Sequence, residues 1–168
     1  TVILFGDYKE PFTAEADGLL RVFTTGPEPN IRYGFVHYPV DVSCNNTTTM
    51  NLHPGACRAA AASEAAWALD GEEGFWRMHD WLMRNVKTEL SDEVLVTAAT
   101  ECGLDPAKFM DAIAQPFIRL NVSADASMGP KVGLRSIPFI IVNDKPVARW
   151  KHEHENVLPR IINEAAGR

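Results

Sequence analysis

Apolar positions form short unbroken runs at the two ends of the chain and helical stripes between them. Val2 to Phe5 is a continuous apolar run with β-branched residues, the pattern of a strand covered on both faces. Pro11 suits the first turn of a helix, where its missing N–H costs nothing. That helix turns Leu19, Leu20 and Phe23 inward and is expected to end near Gly26-Pro27. "IRYGFVHYPV" reads as a second strand stopped by Pro39. The order β-α-β predicts a parallel pair joined by a crossover helix.

A helical block follows. "GACRAAAASEAAWALD", opened by Pro54, has high helix propensity throughout and meets its stop at Gly71. "GFWRMHDWLMRN" places Phe75, Met78, His79 and Leu82 on one face. Ser91 starts a capping-box helix with Val94, Leu95 and Ala98 inward, and Asp105-Pro106 starts another. A fifth stretch, roughly Pro116 to Val132, is expected to bend at Gly129-Pro130. Then "PFIIVND" and "KPVARW" read as a hairpin with an Asn-Asp turn. "HENVLPRIINEAAG" closes the chain as an amphipathic helix, with Pro159 expected at an unfavourable interior position. The whole order, β-α-β, four or five helices, then β-β-α, is that of an α/β thioredoxin fold carrying an inserted helical subdomain. Residues 1–168 are read as one domain, with 1–40 and 136–168 as its core and about 53–133 as the insertion.

Composition narrows the function classes. The 168 residues carry a net charge of −6 and no basic stripe, which argues against nucleic acid as a partner. The longest apolar run is far too short to span a membrane. Thr1 already adjoins a strand, so the expectation is a domain excised from a longer protein. Three cysteines allow three single pairings. Cys44 and Cys57 bracket the polar loop "CNNTTTMNLHPGAC", and a disulfide closing it is the expectation; two separate buried thiols are the alternative. A disulfide favours an extracytoplasmic, oxidising location. Cys102 reads as a small buried hydrophobe.

Several segments together resemble the DsbA-like branch of the thioredoxin superfamily, including the domains sometimes fused to vitamin K epoxide reductase homologues. "FGDYKEPF" stands where that family has an acidic-aromatic corner leading into Cys-Pro-x-Cys. "VHYPVDVSCN", "MNLHPGACRAA", "GFWRMHDWLM" and "VGLRSIPFIIVND" match its later segments in order. The resemblance implies a cis peptide bond at Ile137-Pro138 and a peptide-binding edge at those two residues. It also places the family's active site at Glu10, Pro11, Phe12 and Thr13, where the two cysteines are replaced by Glu10 and Thr13.

The leading expectation is therefore a degenerate, redox-inactive domain that lacks the Cys-x-x-Cys. Such a domain would bind a peptide or partner, for example a membrane redox domain of the same polypeptide. One alternative is a thiol-disulfide oxidoreductase using Cys44 and Cys57, weighed against their being a structural staple. Another is a glutathione-dependent transferase or isomerase of the same architecture. In that branch a hydroxyl sits near the corner, and the Glu10 carboxylate would repel the glutathione thiolate. No cofactor and no metal are expected; His152 and His154 in "KHEHEN" read as a solvated face. His79 is expected in the core, His53 at a helix entry, and His37 and Tyr38 along the groove.

Overall fold

The computed structural model describes residues 1–23, 31–152 and 155–167, with only the backbone of His152. The expected end of the first helix at Gly26-Pro27, and the His152/His154 face, lie outside the described residues.

Strand β1, Val2–Gly6, lies at the centre of a sheet ordered β2-β1-β3-β4. It pairs in parallel with β2, Tyr33–His37, and antiparallel with β3, Phe139–Val142. β3 in turn pairs with β4, Lys145–Pro146, across a turn in which Asn143 and Asp144 have φ of 47° and 65°. Two successive left-handed residues suit the right-handed strand twist, and Asn and Asp tolerate that conformation best after Gly. β4 is shorter than the stretch "KPVARW" promised. A small separate ladder, β5 at Lys151–His152 and β6 at Glu155–Asn156, follows it.

Alternation along β1 explains why its run is apolar throughout. Val2 and Leu4 face helices α1, Pro11–Arg21, and α7, Leu158–Ala165, where Ala16, Leu20, Leu158 and Ile162 close over them. Ile3 and Phe5 point to the other face, against Tyr38 and Ala126. Burying each large side chain there stabilises the fold by about 1.5–3 kcal/mol. Pro159 falls in the first turn of α7 rather than its interior, so the expected strain is absent.

The helical insertion packs on a second core that includes Ala59, Ala66, Met78, Leu95, Phe109 and Ile118. Its longest element, α2, runs Ala56–Arg84 and is broken where a stop was expected: Asp70 and Gly71 leave helical geometry, Gly71 with φ 59° and ψ −148°. Only glycine enters that region without a steric penalty. Helices α3, Asp92–Glu101, and α4, Pro106–Ile113, begin at the expected caps: Ser91 accepts from the Val94 N–H, and Asp105 from Ala107 and Lys108. Next, α5, Pro116–Ala126, ends at Ser127, before α6, Met128–Lys131, so the break precedes the expected Gly129-Pro130. Gly129 instead lets the chain approach Tyr38, whose ring lies 2.4 Å from where a Cβ would stand.

Candidate functional site

Because β1 and β2 are parallel, both deliver the chain to the same edge of the sheet. Beyond Gly6 lies the corner Asp7–Glu10; beyond His37 lies the loop that leads into α2. Asp7 joins them. Its buried carboxylate accepts from the Lys9 N–H (2.7 Å), the Val40 N–H (2.8 Å) and His53 Nδ1 (2.7 Å). The hydrogen bond to Asp7 raises the His53 pKa, against a smaller opposing effect of burial. A histidine whose folded pKa is raised contributes stability that is complete below its unfolded value of 6.5. That contribution disappears as pH rises through the higher folded value. In thermal melts from pH 5 to 9, the parent's advantage over His53→Gln is expected to be largest at the acid end and to shrink toward pH 9. A flat or inverted difference would contradict this assignment.

The next residue, Tyr8, ties the corner to the insertion. Its hydroxyl lies 2.8 Å from His79 Nδ1, while His79 Nε2 lies 3.0 Å from Asp17, which also accepts from the Tyr33 hydroxyl. Burial lowers the His79 pKa, although Asp17 opposes it, and burial raises that of Tyr8. A neutral His79 then donates from Nε2 to Asp17 and accepts the Tyr8 proton at Nδ1. His79 is thus a satisfied core histidine, with no exposure.

Glu10 caps α1: its Oε2 accepts the Thr13 N–H at 2.5 Å. Thr13 is fully buried and its hydroxyl faces the Asp7 N–H at 3.4 Å, whereas Phe12 is 55% exposed. Ile137-Pro138 is cis. Ile137, Pro138, Phe139, Trp150 and Lys151 line a groove of about 460 Å³. The Lys151 ammonium also sits 5.2 Å over the Phe12 ring, so the corner and the groove share a rim. His37 and Tyr38 do not line it. Both are buried: His37 is 3.2 Å from Glu64, and the Tyr38 hydroxyl accepts from Thr47.

The loop supplies the chemistry. Cys44 and Cys57 form a disulfide with S–S 2.01 Å and Cα–Cα 5.8 Å. The expectation of a degenerate chain, redox-inactive for want of cysteines, is corrected by this pair. Positions 10 and 13 hold no sulfur, but a cystine is supplied at the same sheet edge by the next loop and the helix it enters. Cys57 is the second residue of α2, at the end of the helix where the dipole favours negative charge. Cys44 is buried and Cys57 is partly exposed.

Asp41 organises this entry. Its carboxylate accepts from Ser43, Gly55 and Cys57 N–H groups at 3.0, 3.1 and 3.3 Å. Burial opposes its charge, but those hydrogen bonds prevail and hold its carboxyl below the usual range. A cavity of about 190 Å³ is lined by both cysteines together with Arg58, Arg119, Ile113 and Val122. Arg119 donates to the Ser43 carbonyl and Arg58 pairs with Asp92. Cys102 is buried apart from the pair, and burial pushes its thiol pKa up. Asp7 and Asp41, the residues that build the site, carry one weak signal in sequence: each is an acid just past the end of a strand, beside a donor-rich loop.

No three His, Cys, Asp or Glu side chains among the described residues are placed to hold a metal. No described helix is long and apolar enough to cross a membrane.

No family model matches the chain. It is 30% identical over 146 residues to the Na(+)/H(+) antiporter NhaA 1 of Salinispora arenicola, and 27% identical over 146 residues to NhaA 3 of Salinispora tropica. Each match covers 86% of this chain but only 20% of the relative, so the chain spans about a fifth of the curated proteins it matches. Among solved structures, the thiol-disulfide exchange protein alpha-DsbA2 from Wolbachia pipientis superposes with a TM-score of 0.77 at 20% identity, covering 99% of this chain and 80% of that one. Oxidised BdbD from Bacillus subtilis superposes with a TM-score of 0.73 at 22% identity, covering 99% and 87%. The chain therefore has the DsbA-like thioredoxin fold with its inserted helical subdomain.

Proposed function

We propose that this domain is a thiol–disulfide oxidoreductase whose redox pair is Cys44 and Cys57. The observation that carries the reading is a disulfide reaching the first turn of α2, one of its cysteines partly exposed, with a cavity lined by both. A substrate thiolate attacks Cys57 Sγ, the S–S bond breaks, and Cys44 leaves with the electron pair and takes up a proton. A second substrate thiolate attacks the substrate sulfur of the mixed disulfide. Cys57 then leaves as a thiolate at a helix N-terminus, which makes it the better leaving group. Two substrate thiols have become one disulfide, and the protein holds the two electrons as reduced Cys44 and Cys57. A disulfide-bearing partner reoxidises the pair by the reverse exchange.

Ile137 and cis-Pro138, with the groove beside them and the rim at Glu10, Pro11 and Phe12, are the proposed docking position for the peptide chain of a substrate. The glutathione-transferase alternative has no support at the corner, because its hydroxyl, on Thr13, is fully buried. The antiporter names of the matched relatives support one further step. We place the domain as an ancillary unit of a longer membrane transport protein, on its oxidising, extracytoplasmic side. A disulfide that persists is favoured in such a compartment.

Equilibration in glutathione buffers, followed by alkylation and mass spectrometry, tests the reading. The expected potential of Cys44/Cys57 lies in the range of known exchange proteins, about −270 to −120 mV. A value below about −300 mV would mark a structural cross-link and end the proposal.

A further inference from the structure

An unassigned cavity lies away from the disulfide, beside β2, α5 and the break in α2. Glu64 is seven positions beyond Cys57 (64 − 57), about 10 Å along the helix at 1.5 Å per residue. The kink at Asp70-Gly71 lets Glu72 and Trp76 line the same cavity as Glu64 and Trp67. Its volume is about 470 Å³, within the size range of sites for small organic ligands. Aromatic rings of Phe35, Trp67, Phe75 and Trp76 line it, together with the carboxylates of Glu64, Glu72 and Asp125. No Lys or Arg is among the lining residues.

Two details set this apart from a solvated acidic face. Trp67, 54% exposed, is a large apolar ring left open on the cavity wall rather than in the core. Second, Glu64 and Asp125 are built in, with Glu72 on the exposed rim. Glu64 is held by His37 Nε2 at 3.2 Å and by Asn121 Nδ2 at 3.0 Å. Asp125 accepts the His37 backbone N–H at 3.1 Å, and Glu72 accepts from the Trp76 indole at 3.3 Å. Burial works against charge on Glu64, but His37 and Asn121 outweigh it and lower its pKa. Burial raises that of Asp125.

Aromatic walls with fixed negative charge and no internal cation complement an ammonium group carried on an apolar body. The geometry points to an organic-cation site between the broken α2, β2 and α5, taking a quaternary or primary ammonium. The Arg21 guanidinium, 4.7 Å over the Trp76 ring, shows the same attraction, and Trp67 is the more open aromatic platform.

Tryptophan fluorescence titration of the intact chain tests this, with three probes: choline, N-acetyl-lysine methylamide, and the uncharged choline isostere 3,3-dimethylbutan-1-ol. Saturable binding of at least one cation is expected, at least tenfold tighter than the isostere and weaker in added salt. Choline binding would identify a free small cation as the ligand; binding of the lysine derivative alone would identify a lysine side chain. Glu72→Gln on the rim, and Glu64→Gln with its fold checked by circular dichroism, are each expected to weaken the cation several-fold. Trp67→Ala should weaken it by tenfold or more. The proposal is overturned if neither cation saturates, if the isostere binds as well, or if the folded variants bind like the parent. The thiol–disulfide potential is independent of all these outcomes.

Discussion

Cys57→Ser is expected to abolish thiol–disulfide exchange, while Cys102→Ser leaves it within about twofold of the parent. Cys57 alone combines partial exposure with a helix N-terminus, the setting that stabilises a thiolate. Cys102 is buried at the end of α3 with its thiol pKa raised, so it is a poor nucleophile. The closed loop has a sequence separation of 13, and losing its cross-link costs about 3 kcal/mol by loop-closure entropy. Activity is therefore compared at a temperature where circular dichroism shows the variant folded. Cys44→Ser carries the same stability cost but opposite chemistry. It keeps Cys57 and lacks the sulfur that resolves a mixed disulfide, so on mixing with a disulfide-bearing partner a mixed disulfide should accumulate on Cys57. Retained exchange in Cys57→Ser, or no trapped species in Cys44→Ser, would show that the redox centre is misplaced.

Asp7→Ala is expected to destabilise the fold by about 3–5 kcal/mol, the cost of removing one partner from a buried charged pair. Three donors lose their acceptor together: the N–H groups of Lys9 and Val40, and His53 Nδ1. Each buried group left unpaired costs about 1–3 kcal/mol. In a domain of this size the change corresponds to a fall in Tm of roughly 6–20 °C. Asp7→Asn retains an acceptor oxygen and should cost less than half as much. Chemical denaturation of the three proteins measures the difference. A loss below 1 kcal/mol for Asp7→Ala would mean that the corner and the disulfide loop are held together by something else.

Local chemistry explains why much of the fold was legible. Continuous apolar runs marked β1 and β3, the caps at Ser91 and Asp105 marked α3 and α4, and Gly71 marked the break in α2. Each signal acts within a few residues. Misplaced features depend on distant neighbours. Gly129 looked like a helix breaker, yet its missing side chain serves the Tyr38 ring, from a loop far away in sequence. Pro159 looked internal because the start of α7 is set by packing of Leu158 and Ile162 on the sheet. The same distinction governs the site: Cys44 and Cys57 are visible in the sequence, but that their sulfurs meet is decided by the fold.

By itself the sequence determined the order of the elements, the caps and turns that bound most of them, and the residues available for chemistry. Those depend on backbone preferences and hydrophobic period, which are properties of short stretches. Tertiary structure decided that two parallel strands bring the corner and the Cys44–Cys57 loop to one sheet edge, with Asp7 joining them. It also decided that a kinked α2 encloses an acidic, aromatic cavity. Both depend on contacts between residues far apart in the chain, whose distances no local pattern encodes.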